Sequence, residues 1–250
     1  LTTRFNSLYV EEIKSLIDKV KIFKNHFASL DIRQNHSVHK TIIETILKKK
    51  KIIDQTLDEL TNDELTAILI KKKINITPDQ FDDDVLKDTV ETISKLKDIQ
   101  RKNGKDGCDR YIISNAEDSF SVLFVYFLLK NCSWQKESIP FDIIPLFESM
   151  NGMKNSEFIM KELYSIPEYR THLKNRGDKQ IIMLGFSDGT KDGGYLQANW
   201  SIFKTKEKLS QLSSQFSIKP IFFDGRGGPP ARGGGKTHRF YASQSGKIAN

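Results

Sequence analysis

Ile218-Lys219-Pro220-Ile221-Phe222-Phe223-Asp224-Gly225-Arg226-Gly227-Gly228-Pro229-Pro230-Ala231-Arg232-Gly233-Gly234-Gly235-Lys236-Thr237-His238 runs from an apolar stretch straight into a glycine- and arginine-rich segment. The apolar part, Ile218 to Phe223, reads as a buried strand. Glycines let a backbone approach a ligand closely and adopt φ > 0, and successive free N–H groups in such a loop form a concave anion site. Arg226, Arg232 and Lys236 add fixed charge suited to carboxylate or phosphate. A strand ending in this loop predicts a site for a small, highly charged anion. Two other readings of the same residues stay open. Gly235-Lys236-Thr237 has the ending of a nucleotide-binding P-loop, although the first glycine of that pattern would fall on Pro230, which has no N–H to offer. The Arg-Gly-Gly pairs also suit an RNA-binding segment, whose affinity would fall steeply with salt.

Working outward, a second apolar run, Ile181 to Leu184, leads into Gly185-Phe186-Ser187-Asp188-Gly189-Thr190-Lys191-Asp192-Gly193-Gly194. From residue 108 on, strand and helix patterns alternate. Strands are expected at Tyr111 to Ser114, Phe141 to Phe147, Ile181 to Gly185 and Ile218 to Phe223. Helices are expected at Ser119 to Lys130, Glu157 to Tyr164 and Gly194 to about Phe216. Alternating βα units predict a parallel sheet. Before the break at Lys102-Asn103-Gly104-Lys105-Asp106-Gly107 the chain reads mostly as helix. Ile13, Leu16, Ile17 and Val20 share one helical face, as do Leu86, Val90 and Ile93 after the acidic start Asp82-Asp83-Asp84. The piece from Phe27 to Ile32 is a candidate early strand. The expected division is therefore 1–107, mainly helical with one candidate barrel strand near 27–33, and 108–250, built of βα units. The class is α/β, mostly α by content. About five βα units are too few to close an eight-stranded barrel.

Composition sets outer limits. Hydrophobic content of 38% and charged content of 28% are ordinary for a globular chain, and no apolar run approaches membrane-spanning length. A formal charge of +7 fits an anionic ligand site better than a nucleic-acid surface, because the lysines are interleaved with acidic residues. Cys108 and Cys132 lack metal-ligand spacing and read as free thiols of a reducing, cytoplasmic compartment.

In βα architectures functional side chains gather at the C-terminal ends of the strands. Arg33, Glu148, Asp188 with Lys191, and Asp224 with Arg226 all fall there. Glu148 and Asp188 taken singly could be a capping or surface carboxylate. As a pair at neighbouring strand ends they suit a hard divalent cation such as Mg²⁺, which takes one or two protein carboxylates and leaves room for substrate oxygens.

The segments 185–194 and 222–235, in this order and at this spacing, resemble phosphoenolpyruvate carboxylase. That family carries G-[YF]-S-D-S-x-K-D-[AG]-G and then F-H-G-R-G-G-x-x-G-R-G-G. Further similar pieces follow the family order: Leu30-Asp31-Ile32-Arg33-Gln34, Tyr111-Ile112-Ile113-Ser114, Pro145-Leu146-Phe147-Glu148 and Ser165-Ile166-Pro167-Glu168-Tyr169-Arg170. The resemblance spans roughly residue 9 to the end and is to an internal piece of a divergent, bacterial-type member. It implies a partial (β/α)8 TIM barrel with helical insertions, and carboxylation of phosphoenolpyruvate by bicarbonate to oxaloacetate and phosphate. It further implies Mg²⁺ or Mn²⁺ at Glu148 and Asp188, no nucleic-acid or membrane partner, and a cytoplasmic homotetramer. By the same resemblance Lys191 acts beside the substrate, Arg33 binds its anion, and Arg226 with Gly227 and Gly228 holds phosphoenolpyruvate or carboxyphosphate. Arg232 lies on a part that closes over the intermediate. The family's catalytic histidine would precede this piece and further arginines would follow it, so the piece alone is expected to be inactive. Asp224 stands where the family pattern has histidine, and Pro229-Pro230 and Ala231 also depart from it. An ionised aspartate there would repel an anionic intermediate. Protonation of Asp224, compensation by a group such as Lys236 or His238, or a differently built step would each answer that.

Overall fold

Four largely apolar runs after residue 107 and the mostly polar stretch Ile32-Arg33-Gln34-Asn35 before it become neighbouring parallel strands in the computed structural model, which describes residues 3–24, 26–185, 187–225, 237–242, 244 and 246. They are β1 (Ile32–Asn35), β2 (Arg110–Ser114), β3 (Asp142–Phe147), β4 (Lys179–Gly185) and β5 (Lys219–Gly225), and their order in the sheet is their order in the chain. All four pairings are parallel, with Arg33 opposite Ile112, Ile112 opposite Ile144, Leu146 opposite Met183 and Leu184 opposite Asp224. Parallel neighbours need a crossover, and helices supply it. α2 (His36–Lys49), α3 (Asn62–Lys71) and α4 (Asp84–Asn103) lie between β1 and β2. α5 (Ser119–Cys132) joins β2 to β3, α6 (Met150–Ser165) and α7 (Pro167–Asn175) join β3 to β4, and α8 (Ser187–Gln215) joins β4 to β5. α1 (Val10–Phe23) precedes them and α9 (Thr237–Ala242) follows. The fold is thus mixed α/β and mostly helical. Among the described residues the sheet is open and five-stranded.

Side chains alternate along each strand, so the sheet has two different faces. Tyr111, Ile113, Ile143, Phe147, Ile182 and Leu184 point into one large core with the helices, including Ile42, Ile46, Val90, Ile93, Phe124, Phe127, Leu163, Ile202 and Leu209. Ile112, Ile144 and Leu146, flanked by Ile181 and Met183, form a small separate cluster on the opposite face. Some of the polar groups in the core pair with one another. Tyr111 Oη lies 2.8 Å from His39 Nε2, and Tyr169 Oη donates to Gln180 Oε1 at 2.8 Å. Removing each hydroxyl from water without such a partner would cost about 1–3 kcal/mol.

Several expected elements move. The first strand begins at Ile32 rather than Phe27, because Phe27 sits at φ 62° and cannot continue an extended chain. Leu30 N–H instead donates to Gly107 O at 2.9 Å, which delivers Ile32 into register with Tyr111. The helix expected from Glu157 starts seven residues earlier, at Met150, where Ser149 caps it by accepting from Gly152 N–H at 2.9 Å. Pro167 then opens α7, which the sequence reading did not separate. α8 is assigned from Ser187, but Gly194 at φ 79°, ψ 169° breaks it, so its regular part begins where the sequence places it. α1 is a helix as expected, yet it buries no residue: Ile13, Leu16, Ile17 and Val20 all stay exposed. No helix among the described residues is long and apolar enough to cross a membrane.

Candidate active site

Glu148 is the first residue past β3 and continues its alternation, so its carboxylate lies on the face away from the helices. The side chain is only 11% exposed, and two groups hold it. Asn115 N–H donates to Oε1 at 2.9 Å, and Arg33 Nη2 lies 3.6 Å from Oε2. The first contact exists because Asn115 takes φ 54° directly after β2, a conformation asparagine tolerates, and so turns its N–H toward β3. The second exists because Arg33 is opposite Ile112 and shares its face, and its guanidinium remains 53% exposed. The structure therefore brings together two of the expected residues, Arg33 and Glu148, from β1 and from the end of β3.

Gly185 completes this corner. A Cβ on Gly185 would lie 2.4 Å from Glu148 Cβ and 2.9 Å from Glu148 Cα. β4 must therefore end in glycine for Glu148 to cross it. Three residues later comes Asp188, at the start of α8, and then Lys191, which is exposed there. The backbone thus carries the two carboxylate positions to the ends of adjacent parallel strands, β3 and β4. The carboxylate of Glu148, a hard oxygen donor beside a partly solvated arginine, is of the type that suits a hard divalent cation such as Mg²⁺ or Mn²⁺.

Asp224 does not join that face. It lies opposite Leu184, on the side of the helices, and its two carboxylate oxygens are each 2.9 Å from Lys206 Nζ on α8. The pair is nearly withdrawn from water, with the lysine side chain 5% and the aspartate 14% exposed. The ammonium also lies 5.8 Å from the centroid of the Phe222 ring. Of the two side chains named as compensators of Asp224, His238 is exposed on α9 and Lys236 lies outside the described residues, as do Arg226, Gly227, Gly228 and Arg232.

Sequence reasoning passed over Asn115, Gly185 and Lys206 as site residues. A glycine closing an apolar strand is a usable signal for close approach. Asn115 and Lys206 left none, since one acts through its backbone and the other resembles every lysine of a solvated helix face.

The sequence matches the phosphoenolpyruvate carboxylase family over residues 1–248. Curated relatives named phosphoenolpyruvate carboxylase include those of Nitrosomonas eutropha, 31% identical over 96% of this chain and 26% of the relative, and Synechococcus sp., 32% identical over 96% and 24%. That of Xanthomonas euvesicatoria pv. vesicatoria is 33% identical over 91% of this chain and 25% of its own length. The chain spans about a quarter of the length of the curated relatives it matches.

Proposed function

This chain belongs to the phosphoenolpyruvate carboxylase family, and from that premise we propose that the protein carrying it joins phosphoenolpyruvate and bicarbonate to give oxaloacetate and phosphate. The observation that supports the reading best is the meeting of Arg33 and Glu148, 3.6 Å apart, at one corner of the sheet beside Gly185. An arginine fork held next to a carboxylate and open to solvent is suited to a substrate that is both anion and metal chelate.

In this reading Glu148 and Asp188 hold Mg²⁺ or Mn²⁺, which when bound supplies concentrated positive charge beside the substrate oxygens. Arg33 binds the phosphoenolpyruvate anion. Bicarbonate attacks the phosphoryl group, which leaves carboxyphosphate and the enolate of pyruvate. Lys191, at the start of α8, lowers the cost of the negative charge that gathers on the enolate oxygen. Arg226, Arg232 and the N–H groups of Gly227 and Gly228 hold the phosphate and the CO₂ that carboxyphosphate releases, and their closure keeps water from it. The CO₂ then takes the enolate carbon. The proton-transferring histidine and further arginines belong to parts of a longer enzyme beyond this chain, so the chain alone does not turn over.

The same proposal covers architecture. The strands follow chain order with no reversal, as in a (β/α)8 barrel and unlike a doubly wound sheet. Residues 1–107 then supply an early barrel strand and helical insertions, and residues 108–250 the βα units. A cytoplasmic homotetramer is part of the proposal. Bicarbonate-dependent oxaloacetate formation by the full-length protein with Mg²⁺ is the test. Its absence in a folded, metal-binding protein would sink the reaction and leave the family membership in place.

A further inference from the structure

α6 and α8 pack against each other, and between them lies an open groove of about 590 Å³. Its floor is fixed: Met153 and Thr205 are buried there, and Thr205 Oγ1 donates to Met153 O at 3.4 Å. One wall is the start of α6, with Asn151 and Lys154. The other is a single face of α8, where Gln197, Trp200, Ser201, Lys204 and Lys208 follow at helical spacing. Two features set this groove apart from a solvated helix surface. The first is Trp200. Tryptophan is highly buried on average, and the chain's other one, Trp134, is 2% exposed, whereas Trp200 is 58% exposed. Its indole is held in place all the same. Phe203 stacks with it, the centroids 5.9 Å apart and the planes at 16°, and Lys204 Nζ lies 5.0 Å from its centroid. A fixed and open indole is a platform for another flat ring. The second feature is charge. Lys154, Lys204 and Lys208 line the groove and no carboxylate among the described residues does. Glu207 and Glu157, which lie 3.0 Å from Lys204 and 3.7 Å from Lys208, are not part of its walls, and Lys154 has no carboxylate partner among the described residues. We propose that this groove binds an organic anion built on a flat ring, of the nucleoside monophosphate kind. The ring lies against Trp200, the ammonium groups take the phosphate, and Asn151, Gln197 and Ser201 bond to polar edges. The volume, and an aromatic wall with a few polar groups, are those of small-molecule sites in general. None of the residues placed in the candidate active site lines the groove.

The test is calorimetric titration of the full-length protein with AMP, adenosine and ribose 5-phosphate, repeated on Trp200→Ala and on the double variant Lys154→Ala, Lys208→Ala. Wild type is expected to bind AMP at least tenfold more tightly than adenosine, which lacks the phosphate, and than ribose 5-phosphate, which lacks the ring. Trp200→Ala should weaken AMP about tenfold and leave ribose 5-phosphate within about twofold. The lysine variant should weaken AMP about tenfold and leave adenosine within about twofold. If Trp200→Ala does not fold, the lysine variant, altered only at exposed positions, carries the test. An AMP affinity equal in wild type and variants places the nucleotide elsewhere and overturns the inference. So does equal binding of AMP and ribose 5-phosphate, which leaves the indole no role. A wild type that binds no AMP, as expected were another part of a longer chain to cover this face, overturns it as well.

Discussion

The two ends of the sheet are built from the same residue types and do opposite things with them. At the N-terminal end, Arg176 ahead of β4 donates through Nε to Asp142 Oδ1 at 2.6 Å and through Nη2 to Asp109 Oδ2 at 3.1 Å. Arg110 continues the chain of charges, its Nε 3.4 Å from Asp31 and 3.5 Å from Asp109. This ties the starts of β2 and β3 to the approach to β4, and Arg176 is left only 18% exposed. At the C-terminal end, Glu148 is held by one N–H and by a longer, half-open contact to Arg33. Closed pairs at one end and an unfinished pair at the other indicate where the molecule spends charge on stability and where it keeps charge for a ligand.

The largest expected effect tests the closed end. Arg176→Ala leaves Asp142, mostly out of water, without its ion-pair partner and Asp109 with Arg110 alone, and the chemical unfolding free energy should fall by about 3 kcal/mol. Activity per folded molecule of the full-length protein should stay within about twofold of wild type, since nothing at the other end moves. A drop in kcat without a loss of stability would break the comparison. Next comes the open end. Gly185→Ala puts a methyl group where Glu148 sits, and we expect kcat/KM to fall about 100-fold together with weaker Mg²⁺ binding, and the overpacking against Glu148 to cost about 1–3 kcal/mol of stability. Unchanged Mg²⁺ affinity would remove Glu148 from the metal site.

A third prediction separates both ends from the core between them. Burial lowers the pKa of His39 to about 3 and of His172 to about 4, with His36 and Arg176 adding to the effect in turn. Both values lie below the usual 6.5, so the unfolded chain binds protons that the folded one refuses. This share of stability is complete above about pH 6.5 and is lost as the pH falls toward 4 and 3. Replacing His172 by Phe, which fits among Tyr126 and Tyr169, should improve stability relative to wild type by about 2 kcal/mol on going from pH 7.5 to 5. Parallel profiles for the two proteins would refute the assignment. The smallest effect concerns a surface helix. Thr61 and Glu64 form a capping box on α3, with Thr61 N–H to Glu64 Oε2 at 2.9 Å and Glu64 N–H to Thr61 Oγ1 at 3.3 Å. Thr61→Ala should cost about 1 kcal/mol of stability and leave the kinetics alone.

The legibility of the two ends also differs. Strands β2 to β5 were readable because each is a short apolar run between glycine- or charge-rich breaks, and the end of β3 pointed to Glu148; Arg33, expected at a strand end, is instead the second residue of β1. β1 was misplaced because Phe27, Leu30 and Ile32 look like a strand, whereas the turn at Phe27 is a backbone property that no side chain announces. The face taken by Asp224 was not legible either. It depends on register with Leu184, and a single step of register reverses every side chain of a strand. The closed network at the N-terminal end was unreadable for a related reason, since Asp31, Asp109, Asp142 and Arg176 lie far apart in sequence and meet only once the strands align. The apolar face of α1 shows the opposite failing: the period predicted the helix and could not say that nothing among the described residues would cover it.

The most direct test of the account compares oxaloacetate formation by the full-length protein, given phosphoenolpyruvate, bicarbonate and Mg²⁺, with that of its Lys191→Ala and Arg176→Ala variants. The account predicts turnover in the wild type, a loss of about 100-fold or more in Lys191→Ala, and near-normal turnover by the folded fraction of Arg176→Ala. Equal turnover in wild type and Lys191→Ala, or loss confined to Arg176→Ala, would contradict the assignment of chemistry to the C-terminal end of the sheet.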